Sequence, residues 1–142
     1  METSKSIGRP RNVELAVRLL YASAALVVVL TIFARIGWLN LPVNNAVIIN
    51  FATFALLAFT ANRIGNRRNW ARWLFAVIYA VGTLLGAVLM LTSPEVWQSV
   101  PATGIVTSLI QTALQTAAMF LVFTASANRW FRAQATEREP AV

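Results

Sequence analysis

The chain contains no cysteine and no histidine, and all five of its acidic residues are glutamates. Without cysteine there is no disulfide framework, no thiolate metal site and no redox thiol. Without histidine the chain lacks the usual haem or zinc ligand and the usual general base near neutral pH. The remaining residues form no nucleotide-binding motif and no catalytic constellation. We therefore expect a protein that is not an enzyme and that holds no metal and no cofactor.

Charge of either sign is also scarce. Charged residues make up 12% of the 142 residues, whereas 58% are hydrophobic. A soluble domain has about one quarter charged residues, and a water-soluble core of this size has no room for so much apolar surface. The composition therefore predicts an integral membrane protein, with residues 1–142 forming a single transmembrane domain.

Four long stretches, residues 19–34, 36–62, 73–94 and 96–128, are nearly or wholly free of charge. With snorkelling arginines at its ends where needed, each is long enough to cross a hydrocarbon core about 30 Å thick. Cap and turn residues place the helices near residues 12–37, 42–63, 69–92 and 100–128. We expect an all-α integral membrane protein built as a four-helix antiparallel transmembrane bundle. The polar ends, residues 1–8 and 133–142, are predicted to be short mobile tails.

Basic residues mark alternate ends of these stretches. Eleven of the twelve lie near the N-terminus, around the middle loop or after the fourth stretch, and Arg35 is the exception. Cytoplasmic loops of membrane proteins carry an excess of Lys and Arg, so both termini and the middle loop are predicted to be cytoplasmic. There the arginines would contact anionic lipid head groups. This role accounts for the basic charge, and we do not expect nucleic acid as a partner.

Short segments recur in the two halves of the chain. Arg11-Asn12 and Arg68-Asn69 open the first and third helices, while residues 60–63 and 126–129 close the second and fourth. This recurrence predicts two pseudo-repeated αα hairpins, related by an axis along the membrane normal. The alternative is that Asn recurs as a helix cap and Arg recurs as the marker of cytoplasmic ends.

Two segments also resemble known proteins. Residues 66–72, Asn-Arg-Arg-Asn-Trp-Ala-Arg, lead into an apolar helix, and residues 9–13, Arg-Pro-Arg-Asn-Val, lead into Leu19-Leu20-Tyr21. Both are similar to segments of small, largely uncharacterised bacterial inner-membrane proteins with four helices in two hairpins. The resemblance implies this fold and a location in the bacterial cytoplasmic membrane, and it implies no activity.

Four charged residues are candidates for a functional role. Glu14 and Arg18 lie four residues apart, in the order that favours a helical ion pair. Either they pair locally, or Glu14 couples a proton or cation to transport. Arg35 either snorkels at a helix end, pairs with Glu95 across the outer loops, or receives an anionic ligand or partner.

A polar cluster is predicted within the membrane. Ser108, Gln111 and Gln115 share one face of the fourth helix, and Asn50 on the second helix should lie at similar depth. We expect the two glutamines to bond Asn50 or neighbouring hydroxyls and so to hold the helices together. The alternatives are that this face lines a wet solute path or forms a polar interface between copies of the chain.

The third helix carries a GxxxG motif formed by Gly82 and Gly86. This spacing lets two helix backbones approach closely, either within the bundle or between two copies of the chain. Together with the small mass outside the membrane and the lack of reactive groups, it favours a small multi-pass accessory component. Such a component would bind another membrane protein or form a homo-oligomer. The alternative is an oligomeric channel or small-solute transporter that uses the polar face of helix four.

Overall fold

The computed structural model of the chain describes residues 8–37, 46–93, 95, 98 and 100–137. This part of the chain contains five helices: α1 (Arg11–Arg35), α2 (Ala46–Gly65), α3 (Asn69–Thr92), α4 (Ala102–Val122) and α5 (Ala125–Glu137). The first four are long and apolar enough to cross a membrane. The prediction of an all-helical protein with four helices of membrane-spanning length is confirmed.

Helix α1 is at the centre of the packing. It contacts α2 and α4 extensively and α5 more locally, whereas α3 makes much smaller contacts with α2 and α4. Its buried face includes Val13, Ala16, Leu20 and Ala24, whose spacing of three and four residues forms one stripe along a helix. The alanines in this stripe let neighbouring helices approach closely, which explains why α1 holds two long helices at once.

The buried core lies toward one end of the protein. It contains residues from the start of α1, the end of α2, the start of α3 and the end of α4. Helix α5 contributes Ala127, Trp130 and Phe131. We call this the arginine-rich end, because it also carries a group of nine described arginines: Arg9, Arg11, Arg18, Arg63, Arg67, Arg68, Arg72, Arg129 and Arg132. At the opposite end, which we call the far end, large apolar side chains such as Ile48 and Leu91 are exposed.

The predicted fourth helix, 100–128, is in fact two helices. Helix α4 ends at Val122, and the backbone N–H of Asn128 bonds the carbonyl of Thr124 at 2.9 Å in the first turn of α5. The side chain of Asn128 turns back and donates to the carbonyl of Phe123 at 3.1 Å, which satisfies a carbonyl that the helix end leaves open. No glycine or proline marks this break, so the sequence pattern did not reveal it.

The predicted tails also differ from the structure at one end. Residues 133–137 continue α5 instead of forming a tail. Residues 1–7 and 138–142 lie outside the described residues, as do positions 42–45 of the predicted second helix. The α2–α3 connection is short, and Arg67 lies in the left-handed region at a φ of 60°. The N–H of Arg68 bonds the carbonyl of Arg63 at 3.0 Å there, so the turn closes the end of α2.

Candidate functional site

The two glutamines of the predicted polar cluster point toward α1. The amide Nε2 of Gln111 donates to the backbone carbonyl of Ser23 at 3.3 Å, and Nε2 of Gln115 donates to the Ser23 hydroxyl at 3.4 Å. Ser23 is fully buried. Asn50 is not part of this set, because its amide donates to the Thr31 hydroxyl at 3.1 Å. Asn50 is therefore not adjacent to the glutamines, although similar depth was predicted for them. The predicted cluster separates into two interhelical contacts, one at Ser23 and one at Thr31.

The four charged candidates are not brought together. Arg18 Nη2 lies 2.5 Å from Glu14 Oε1, and both side chains are substantially exposed. This is a local pair near the start of α1. Arg35 and Glu95 are exposed as well, and no ion pair joins them among the described residues. Three or more His, Cys, Asp or Glu side chains that could hold a metal ion do not come together anywhere in the described part of the chain.

A groove of about 680 Å³ lies between α2, α3 and α4. Along α3 it extends from Phe75 to Met90, which is about 22 Å at 1.5 Å per residue. None of the described residues that line it is charged. Many of them are small: Thr53, Thr60, Gly82, Thr83, Gly86, Ala87, Ser108 and Thr112. Ser108, predicted to belong to the polar cluster, instead lines this groove and is exposed.

Gly82 and Gly86 face open space in the groove. A Cβ atom added to either glycine would meet nothing within 4 Å. The close backbone contact that the GxxxG motif predicted is therefore absent within the described chain. The reason is that residues 80–92 of α3 are exposed along their whole length, so this part of α3 stands away from α4. A contact with another chain stays a prediction.

The groove is closed at the arginine-rich end. The hydroxyls of Tyr79 and Thr116 share a hydrogen bond of 2.5 Å, and Phe75 is buried just below them. About two turns from the Tyr79–Thr116 bond, the rings of Trp73 and Phe123 meet edge to face with centroids 5.1 Å apart. Helix α3 is thus attached to α4 over its first three turns only.

No protein-family model, curated protein or solved structure matches the chain. The resemblance of two short segments to bacterial inner-membrane proteins therefore stays a prediction. Two features of the molecule bear on its function: the groove and the attachment of α3 beneath it.

Arg72 is the main residue of this attachment, and the sequence pattern did not single it out. The side chain is 6% exposed, and Nη1 donates to Oδ1 of Asn128 at 2.5 Å. Its guanidinium lies over the ring of Phe131 at 4.8 Å and over that of Phe123 at 5.4 Å. Arginine suits this site, because its flat cation stacks on aromatic faces while donating in plane. It links α3 to α5 and to the residue that follows the end of α4.

Further contacts fasten α5 against the arginine-rich end. Arg67 lies 4.8 Å above the ring of Trp130, which is 2% exposed. Asn12 in the first turn of α1 donates to the hydroxyls of Thr124 at 3.3 Å and Ser126 at 3.2 Å. Asn12 and Asn128 both belong to the recurring segments, for which the sequence offered a role as helix cap. Asn12 instead lies inside α1, whose N-cap is Pro10. The partners lie more than fifty residues away in sequence, and spacing along a helix carries no signal for them.

Chemically, the arrangement is suited to binding. Hydroxyls, small residues and apolar side chains line the groove, while the arginines and aromatic rings hold its base together. Such a surface offers apolar contact and shape complementarity to a largely apolar occupant, and hydrogen bonds to a polar group that the occupant carries. It does not combine a nucleophile with a general base among the described residues.

Proposed function

We propose that this chain is a multi-pass protein of the bacterial cytoplasmic membrane that acts as a non-enzymatic accessory component. In this proposal it holds a transmembrane helix of another membrane protein in the groove between α2, α3 and α4. The open groove of about 680 Å³ is the observation that carries the proposal. The chain forms two antiparallel hairpins with both termini in the cytoplasm, where the arginines meet anionic lipid head groups.

The orientation is supported by the distribution of charge. The described arginines of the middle connection, the start of α1 and α5 lie at one end of the protein, as the positive-inside rule requires. The chain has no cysteine, so an introduced cysteine is a unique label. Gln98→Cys should react with a membrane-impermeant reagent from outside the cell, and Asn66→Cys should react only after the membrane is opened. The opposite pattern would refute the orientation.

The composition of the groove favours a helix over a lipid chain as the occupant. An acyl chain is accommodated equally well by leucine and isoleucine, whereas contacts between membrane helices are enriched in Gly, Ala, Ser and Thr. Eight residues of these small types line the groove. A helix is about 10 Å across, so we expect the occupant to enter the groove with one small-residue face.

The shape favours a different protein over a second copy of this chain. A two-fold dimer uses the same patch on both subunits. Two grooves placed against each other would leave both unfilled, because each surface is concave. A single convex helix from another protein fills the groove without this mismatch.

The test uses a pair of matched variants. Gly86→Ile should leave the thermal stability unchanged, because its added side chain meets nothing within 4 Å at Cβ, yet it obstructs the groove. Ala80→Ile, on the same helix and also exposed, does not line the groove and serves as the control. A photo-reactive residue at position 108 should cross-link one defined membrane protein, identified by mass spectrometry, in the parent and in Ala80→Ile.

The adduct should be lost in Gly86→Ile. An adduct between two copies of the chain would replace the proposal with self-association. Adducts with lipid alone would make the groove a lipid site. An adduct that survives Gly86→Ile would show that the groove is not the binding surface.

The alternative expectation, a channel or transporter that uses the polar face of α4, has weaker support. The amide N–H groups of Gln111 and Gln115 bond Ser23, although Gln115 also lines the groove. The described lining of the groove also lacks the charged groups that commonly mark ion pathways through membranes.

A further inference from the structure

We infer that the helix held in the groove carries an amide or hydroxyl side chain that hydrogen-bonds to Thr83 and Thr112. This inference rests on the proposed function and adds the chemistry by which the groove recognises its partner. Glutamine and asparagine fit best, because one amide can donate to one hydroxyl and accept from the other at the same time.

The two threonines lie at the same level of the groove. The contacts Trp73–Phe123 and Tyr79–Thr116 pair increasing residue numbers on α3 with decreasing numbers on α4. One turn beyond the Tyr79–Thr116 bond, toward the far end, the next residues on these faces are Thr83 and Thr112. Both line the groove, so the register places them at one level on opposite walls of the groove.

Neither hydroxyl has a partner in the described part of the chain. Threonine in a membrane helix usually satisfies its hydroxyl with the carbonyl four residues earlier. Where both residues are described, five threonines make that bond, at 2.7–2.9 Å: Thr31, Thr53, Thr60, Thr92 and Thr116. Thr83 and Thr112 make no hydrogen bond through the hydroxyl to any described residue. They are thus available to a group that enters the groove.

The two unbonded hydroxyls would face the interior of a membrane, where hydrogen-bonding partners are scarce. Lipid supplies no hydrogen-bonding groups at this depth, and water does not compete there. A polar group of the partner therefore gains binding free energy when it bonds one of these hydroxyls. A bond between membrane helices contributes about 0.6 kcal/mol on average, which corresponds to about threefold in affinity. The two hydroxyls act at one level, so they select the position of the partner helix along the membrane normal as well as its chemistry.

The experiment uses synthetic transmembrane peptides of leucine and alanine in phosphatidylcholine–phosphatidylglycerol vesicles containing the full chain. One peptide has no polar residue, and the others carry a single glutamine that is moved along the span one turn at a time. Binding is read by energy transfer between labelled peptide and labelled protein. One glutamine position should bind the parent about threefold to tenfold more tightly than the all-apolar peptide.

Thr83→Val and Thr112→Val should each reduce that preference by about threefold. Thr92→Val, on the same helix but outside the groove, should retain it. If all peptides bind equally and Gly86→Ile abolishes their binding, the groove is a helix site without this polar recognition. That result would overturn the present inference and leave the proposed function in place. Binding that Gly86→Ile does not reduce would overturn the proposed function as well.

A disulfide provides a second measurement. The double variant Thr83→Cys, Thr112→Cys lacks both hydroxyls, so any peptide that occupies the groove should slow disulfide formation by separating the two positions. Rapid oxidation that the peptide does not change would mean that the two hydroxyls pair with each other across a closed groove, and the inference would fall.

Discussion

The first helix pair, α1 with α2, and the second, α3 with α4, differ in how much of their length is in contact. The first pair is joined from the buried core near Leu20 to the Asn50–Thr31 bond toward the far end. The second pair is joined only from Arg72 to the Tyr79–Thr116 bond, and residues 80–92 of α3 stand away from α4.

The difference is instructive because α1 and α3 are similarly apolar. Lipid solvates apolar side chains about as well as a neighbouring helix does, so apolar surface alone does not draw helices together. Where the helices of this protein are close, polar bonds, rings or buried alanines join them. Where α3 presents Gly82, Thr83 and Gly86 to the groove, no hydrogen bond or ring contact to α4 is made by these described residues, and the groove remains.

The largest expected effect tests this contrast with two identical substitutions. Leu20→Ala removes a fully buried side chain from the first pair and should lower the free energy of unfolding by about 2–3 kcal/mol. Leu84→Ala removes a side chain that is 65% exposed on α3 and should change it by less than about 0.5 kcal/mol. Denaturant titration in mixed micelles measures both, and equal losses would contradict the described packing.

A somewhat smaller effect is expected at the attachment of the second pair. Asn128→Ala removes the acceptor of the buried Arg72 and the bond that closes α4, and should cost about 2 kcal/mol. Asn62→Ala, at the corresponding place in the recurring segments, is the matched control, because Asn62 is exposed and its side-chain bond is to Asn66. Its cost should stay below about 0.5 kcal/mol. Similar costs would mean that the two recurring segments have equivalent roles.

Tyr79→Phe should have an effect of about 1 kcal/mol, the usual contribution of one hydrogen bond. It removes the bond to Thr116 that closes the groove, so the far ends of α3 and α4 should also separate. Distances between spin labels at positions 88 and 106 report this change. Tyr21→Phe, on the exposed face of α1, should change neither the stability nor the distance. An unchanged distance in Tyr79→Phe would show that this bond does not set the width of the groove.

The smallest effects are expected at the two glutamines. Gln115→Leu loses the bond to the Ser23 hydroxyl and should cost about 0.6 kcal/mol. Gln111→Leu should be close to neutral, because it also removes a buried amide oxygen without a partner among the described residues. Single cysteines at 111 and 115 should resist a small polar reagent. Labelling at 108, 111 and 115 alike would indicate a water-filled path and favour the channel alternative.

The sequence predicted the long helices well because their limits have simple physical causes. Helix α3 coincides with its predicted span, 69–92, since arginines end the apolar run on one side and Thr92-Ser93-Pro94 breaks it on the other. The face of α4 that carries Gln111 and Gln115 also followed from helical spacing.

What the sequence did not predict depends on tertiary contacts. Ser23 was not recognised as the partner of the glutamines, because periodicity identifies a face but not the helix opposite it. Arg72 was counted with the topology-determining arginines, although its burial and its bond to Asn128 distinguish it. The break before α5 was missed for the same reason, since Asn128 acts through the folded structure.

The distance in sequence between Arg72 and its partner has a consequence for biosynthesis. Asn128 follows Arg72 by 56 residues, which a ribosome adds in roughly 3–11 s at the usual rate of synthesis. For the multi-pass protein proposed above, α3 would therefore be synthesised before the guanidinium of Arg72 has either aromatic rings or an amide to contact. Until the C-terminal segment emerges, water would have to solvate that charge, so we expect Arg72 to stay at the membrane interface until α5 is made.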